Sequence, residues 1–321
     1  MDHGRRELSF MNLAGSDDRR LAEQEEEESV TMNRWPGMAS LRWLMGRRAA
    51  AVLAGLWLAL IAAPPVGAEE LSALEKIRQS GVLKVALYRN FAPFSHDGRG
   101  IDVDLANALA AKLGVKMSAL WFEADENMED DLRNMVWKGH YLGYGPADVM
   151  MHVPIDPAYM AKVDRVKFFA PYHRERYAIA RQLDKLPTLD NFEAFEKLSL
   201  GVEGDTLAAS VMLSADGGRY RNNIKTFRTA AEALAALKSG AVAAVMAQQG
   251  ELEGGLQGDA RMAIDLAPHP ILNKRQWPLG LAVKKQSDDL AQALQAAINE
   301  LIADGTLKAI VQRHGVQHRQ P

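Results

Sequence analysis

Two successive sets of alternating strand and helix patterns over residues 69–321 constrain this chain more than any other feature of its sequence. In the first set, Leu71 to Gln79 reads as a short helix, Leu83 to Leu87 as a strand, and Asp102 to Leu113 as a helix that Gly114 ends. Val115 to Phe122 is a second strand, Asp131 to Trp137 a helical stretch, Ala147 to Val153 a short apolar strand, and Phe168 to Ala180 a long extended run that crosses onward. The second set holds strands at Leu198–Val202, Asn223–Phe227, Val242–Ala247 and Ala263–Ala267. Helices fall at Leu207–Leu213 and Ala230–Lys238, with a helix start at Gln248–Leu252. Leu279 to Lys284 then reads as a strand, Asp288 to Ile302 as a helix whose Leu290, Leu294, Ala297, Ile298 and Leu301 form one apolar stripe, and Thr306 to Arg313 as a last helix. Alternation in two batches implies an α/β protein with two sheets, whose binding sites gather at strand ends and in the cleft between domains. About 250 residues suffice for two such lobes.

Ahead of this region stands the only long apolar run. Arg47 and Arg48 form a positive start, Ala49 to Ala63 an apolar stretch, Pro64 and Pro65 break it, and Val66-Gly67-Ala68 places small residues at a cleavage site. Residues 45–68 therefore read as a signal peptide cleaved near Ala68, shorter than the ~20 apolar residues of a spanning helix; a permanent anchor is the alternative. The paired arginines suit twin-arginine export without requiring it. Residues 1–44 are polar and acidic, nearly continuously so from Glu23 to Glu28. They are expected to be a mis-called extension ahead of a true start at Met45, or a disordered tail. An exported, periplasmic protein follows.

Composition narrows the function classes. The chain of 321 residues carries 38 Lys and Arg against 41 Asp and Glu, which leaves no basic face for nucleic acid. It has no cysteine, which removes disulfides, thiolate metal sites and cysteine nucleophiles together. It also lacks the phosphate loop, GxSxG and HExxH motifs.

A series of phrases in fixed order gives a family resemblance. They are Leu83–Leu87 with Pro93-Phe94, Gly100–Leu105 leading to Lys112–Val115, Ala147–Met150, and Val163-Asp164 with Phe169–Tyr172. After them come Leu200–Thr206, Pro278–Lys284 and Ala303–Leu307. In this series the chain resembles the amino-acid-type (family 3) periplasmic solute-binding proteins that feed ABC importers. The resemblance implies the periplasmic binding protein-like II fold: two α/β lobes with a hinge of two crossover segments. It places lobe 1 at 69–175, lobe 2 at 176–276 and a return to lobe 1 at 277–321. It further implies a small-molecule ligand and an ABC permease as partner; a monomer without cofactor, metal or catalysis is expected.

The family pattern is broken at two places. Tyr159 stands where amino-acid binders carry an Arg that forks onto the ligand's carboxylate, and Gln248 stands where a carboxylate receives its ammonium. A standard zwitterionic amino acid is thereby disfavoured, since an unpaired buried charge is costly; a neutral, aromatic or apolar ligand, or none, fits better. The phrase Lys138–Pro146, with Asp130–Trp137 and His152–Pro154, resembles a narrower group: binding-protein-like accessory proteins of periplasmic quinoprotein methanol and alcohol dehydrogenases. There the partner would be the dehydrogenase, and transport would have been given up.

The expected ligand residues are Phe91, Phe94, His152, Tyr159, Asp205, Thr206 and Gln248. Each has a plainer reading. Phe91 and Phe94 can pack their own loop, His152 can be a hydrogen-bonded structural histidine, and Asp205 and Thr206 can cap a helix. Trp121, Trp137 and Trp277 read as packing. The acidic run from Glu123 to Asp131 suggests a hard-cation site but lacks a calcium-loop pattern and reads as a solvated face. A dehydratase-like enzyme on the same fold would need an acid and a base, for which Glu203 and His152 are the candidates, and a cation for its substrate.

Overall fold

The computed structural model describes residues 70–125, 127–269, 272 and 276–321. The expected signal peptide at 45–68 and the extension at 1–44 lie outside the described residues.

Lobe 1 begins with α1 (Ala73–Ser80), closed at one end by the reciprocal Ser72–Glu75 capping box and at the other by Gly81 with φ of 70°. It continues through β1 (Val82–Tyr88), the hairpin β2 (Asn90–Phe91) and β3 (Ser95–His96), α2 (Ile101–Lys112) and β4 (Lys116–Phe122). Next come α3 (Met128–Leu132), a π-helical turn over Arg133–Trp137, β5 (Val149–Pro154) and α4 (Pro157–Met160). A 17-residue strand, β6 (Val166–Gln182), then runs out of lobe 1. Lobe 2 holds β7 (Leu200–Glu203), α5 (Leu207–Gly218), β8 (Ile224–Phe227), α6 (Ala230–Ser239), β9 (Ala244–Gln248), α7 (Gln249–Leu256) and β10 (Met262–Leu266). Strand β11 (Gln276–Lys284) leads back to α8 (Asp288–Ala303) and α9 (Thr306–Arg313).

The sheet order is β4-β1-β5-β11-β6-β9-β7-β8, with β10 on the other side of β6. Strand β6 serves both lobes. Val166 to Arg176 pairs antiparallel with β11, and Tyr177 to Gln182 pairs with β9 and β10. Because β1, β4 and β5 are parallel to one another, as are β7, β8 and β9, their carboxyl ends point the same way within each lobe.

Packing follows from the periodicities. In lobe 1, Leu83, Val85 and Leu87 of β1, Leu105 and Leu109 of α2, and the whole expected stripe of α8 (Leu290, Leu294, Ala297, Ile298, Leu301) share one core. Each Leu or Ile so buried stabilises the fold by about 1.5–3 kcal/mol relative to exposure. Leu307, Ile310 and Val311 of α9 join the same core. In lobe 2, alternate residues of β6 face opposite ways. Tyr177 and Ile179 pack with Leu200, Val202 and Met212, while Ala178 and Ala180 pack with Leu234, Leu237 and Leu252.

A buried polar cluster stitches the crossing. Glu175, fully buried in β6, accepts from Gly250 N–H of α7 at 3.2 Å and pairs with His173 Nε2 at 2.9 Å and Arg319 Nη2 at 3.5 Å. Burial raises the Glu175 carboxyl, but His173, Arg319 and the amide outweigh it and hold the group below its ordinary value. Arg319 also donates to both Glu253 oxygens of α7, at 2.8 and 3.1 Å, and to Arg174 O at 3.2 Å. The segment after α9 thus straps α7 of lobe 2 to the crossing strand. Among the described residues, no helix is long and apolar enough to cross a membrane.

Candidate functional site

A cleft of about 630 Å³, counted out to where it meets solvent, lies between the lobes. Lobe 1 contributes the carboxyl end of β1 and the residues after it, Tyr88 to Phe91, together with Glu123 and Ala124 just past β4. Lobe 2 contributes Tyr177 of β6, Glu203 at the end of β7, Thr206 and Ala208 at the start of α5, Met246 to Gln248 at the end of β9, and Glu251 of α7. The parallel strands therefore aim their carboxyl ends, and the helix N-termini that follow, at one space, where ligands bind in α/β proteins.

Of the expected residues, Phe91, Thr206 and Gln248 line this cleft. Thr206 is the N-cap of α5: its hydroxyl accepts from Ala209 N–H at 3.2 Å and donates to Glu203 O at 2.8 Å. Gln248 is the N-cap of α7 and its N–H donates to Glu251 Oε2 at 3.3 Å. Asp205 is exposed, in a left-handed turn with φ of 56°, and does not line the cleft.

Phe94 and His152 stand one layer behind. His152 is 1% exposed and its Nδ1 lies 3.0 Å from Asp102 Oδ2, while Tyr172 donates its hydroxyl to Asp102 Oδ1 at 2.6 Å. The His152 ring meets the edges of Phe91 and Phe94 at centroid distances of 4.6 and 4.4 Å, so the Asp102–His152 pair props Phe91 from behind. A bulge accompanies this. The β5–β11 register shifts between Gly280 and Ala282, and His152 has φ of 60°. Tyr159 packs edge-on against Phe168 at 5.8 Å in lobe 1 and is not among the lining residues.

Other lining groups were not among the expected ligand residues. Arg89 Nε pairs with Glu123 Oε1 at 3.3 Å, and Asn90 Nδ2 donates to the same oxygen at 3.2 Å. Glu203, buried, accepts from Ala230 N–H at 2.8 Å, at the start of α6. Tyr88 donates its hydroxyl to Asp131 Oδ2 at 2.8 Å, and burial pushes the Asp131 carboxyl up to about 7. Position is the signal that points to Arg89 and Glu123 as lining residues, since each directly follows a parallel strand; Glu203, named from the sequence only as a dehydratase acid, ends one. No group of metal-ligating side chains stands together among the described residues.

No protein-family profile matches the chain. It is 36% identical over 90 residues to the cyclohexadienyl dehydratase of Pseudomonas aeruginosa, a match covering 26% of this chain and a third of that protein's length. Solved structures are similar along their whole length. An ancestral cationic amino-acid solute-binding protein has 23% identity and a TM-score of 0.61, covering 76% of this chain and 100% of that one. An amino-acid ABC transporter substrate-binding protein of Streptococcus pneumoniae bound to L-arginine has 22% identity and a TM-score of 0.57, covering 76% and 98%. The second substrate-binding domain of Lactococcus lactis GlnP in an open conformation has 24% identity and a TM-score of 0.53, covering 73% and 95%. The chain has the type II periplasmic-binding-protein fold. At these identities the likeness shows the fold alone. Within the binding-protein fold, the cleft just described is the space between the two lobes.

Proposed function

We propose that this chain is an exported, periplasmic solute-binding protein of the ABC-importer type that holds a small molecule, other than a standard zwitterionic amino acid, between its lobes. One observation carries this reading: a cleft lined from both lobes at strand carboxyl ends, with aromatic rings on one side and helix N-termini on the other. A ligand there loses its water on all sides, and hinge closure turns binding energy into a shape a permease can recognise. Against an ordinary amino acid, the guanidinium that lines the cleft among the described residues, Arg89, is ion-paired with Glu123, and Tyr159 is packed into lobe 1. Binding fits better than turnover. His152, which would be the acid–base partner of Glu203 in a dehydratase, is buried against Asp102 rather than presented to the cleft.

A second reading rests on a different surface. Tyr141 and Leu142 are 88% and 67% exposed, and His140 stacks on Tyr144 at 4.2 Å, in the loop that resembles the quinoprotein dehydrogenase accessory proteins. Thermal-shift screening of the purified protein against amino acids, amines and aromatic acids separates the two. A ligand at a hundred times its Kd adds about 2.7 kcal/mol of stability. Silence across that library, with co-purification of a quinoprotein, would replace the transport reading by the accessory one.

A further inference from the structure

Helix α7 belongs to lobe 2, between β9 and β10, yet it lies against lobe 1. A methyl group on Gly250 would stand 2.9 Å from Cζ of Phe94, and one on Gly254 would stand 2.6 Å from Cγ of Pro93 and 3.3 Å from His314 O. The two glycines are four residues apart, so this contact runs along one face of the helix for a full turn. A rotation that lifts lobe 2 from lobe 1 has to open it.

The segment His314–Gln320 is bonded on both sides of that contact. Lobe 1 holds its start: Val316 is buried in the lobe 1 core, and His314 Nε2 lies 2.9 Å from Asp104 Oδ2 of α2. Gly315, with φ of 76°, turns the chain towards α7. There Glu253 accepts from Gln317 N–H at 2.9 Å and from Arg319 Nη1 at 2.8 and 3.1 Å, and Gln257 Nε2 donates to His314 O at 3.2 Å. Arg319 O accepts from Arg174 N–H at 3.0 Å and His318 Nε2 donates to Tyr172 O at 2.9 Å, which lays the segment along β6. The Glu253 and Arg319 side chains are each 13% exposed, so salt screens their pairing little. The lobes are joined covalently through β6 and through the chain leading into β11; this segment adds a third, non-covalent connection.

We infer that His314–Gln320 is a latch on the hinge. It stays with lobe 1 and grips α7, so lobe 2 swings away only when Glu253 releases Gln317 and Arg319. Because Glu251 of α7 and its N-cap Gln248 line the cleft, the latch sets how far the cleft opens. This rests on the hinged lobes of the solute-binding reading and goes beyond it in naming what restrains them.

Spin labels read the latch without any ligand. The chain has no cysteine, so Lys116→Cys and Lys225→Cys, exposed on the edge strands β4 and β8, place one label on each lobe. Pulsed electron double resonance on the full chain should give one narrow separation. Glu253→Ala, which removes all three bonds, should lengthen or broaden it by more than about 2 Å, the scale of a domain rearrangement. Glu253→Gln, which keeps an oxygen for Gln317, should do so less, with circular dichroism confirming an intact fold. Should Glu253→Ala fail to fold, Gly254→Ala, whose methyl group would wedge α7 off Pro93, should give the same change. A separation that these substitutions leave unaltered overturns the latch, as does a parent already as broad as its variants. If a library compound binds but the separation is the same in parent and variants, the latch falls and the solute-binding reading stands. If nothing binds while Glu253→Ala frees the lobes, the latch stands and that reading falls.

Discussion

Replacing Gly250 by alanine sets two effects of opposite sign against each other. In an exposed helix the change would stabilise by about 1 kcal/mol, because alanine loses less backbone freedom. Here α7 lies hard against lobe 1 and the crossing strand. A methyl group on Gly250 would fall 2.6 Å from Glu175 Oε1 and 2.9 Å from Cζ of Phe94. Both neighbours are fully buried, so neither has space to retreat into. Overpacking of this kind costs about 1–3 kcal/mol. Moving the carboxylate also weakens its bond to the Gly250 amide, a charged hydrogen bond worth about 1.5–3 kcal/mol when intact. With part of that bond lost, the net effect is a destabilisation of about 2 kcal/mol, or a fall in Tm of about 4–8 °C. Urea unfolding and calorimetry of G250A measure it. Because α7 also carries Glu251, with Gln248 as its N-cap, both of which line the cleft, ligand affinity should drop along with stability. A variant as stable as the parent, or more so, would refute the claim that α7 is seated at closest approach.

Other expectations follow from the same contacts. Asp131 has a folded value of about 7 against an ordinary 3.8, so the folded state binds the extra proton and stability declines as pH rises from about 4 to about 7. Asp131→Asn should remove that decline, so the stability difference should shift in the variant's favour by up to roughly 4 kcal/mol between pH 4 and 8; a difference constant with pH contradicts the assignment. Leu294→Ala in α8, fully buried, should cost about 2–5 kcal/mol in chemical denaturation. Arg319→Met removes the strap between Glu175 and Glu253 and should destabilise by about 2–4 kcal/mol, scanned by calorimetry, since it leaves a buried carboxylate less compensated.

How far the sequence alone reads depends on how many residues a pattern has to speak through. The α8 stripe, from Leu290 to Leu301, spans more than three turns and fell where expected, and every strand of four or more residues lies within a few residues of its apolar run. The hairpin at Asn90–Phe91 and Ser95–His96 and the single turn Pro157–Met160 were not legible, because two to four residues carry no periodicity. The site behaves likewise. Thr206 and Gln248 end up at helix N-caps facing the cleft because strand-to-helix junctions are visible locally. His152 also sits near a strand end, but its direction is decided by the β5–β11 bulge and by Asp102, 50 residues away, neither of which local sequence encodes. Glu251 and Tyr177 belong to no motif; only the meeting of the lobes makes them wall residues.

The account stands or falls on occupancy of the cleft, and methionine-methyl NMR reads that directly. With 13C-labelled methionine methyls assigned by single Met→Leu variants, saturation with the tightest-binding compound should move the Met246 resonance. Met150, buried in the core of lobe 1, should stay near its free position. A compound that binds tightly yet leaves Met246 unmoved would place the ligand elsewhere and contradict the account.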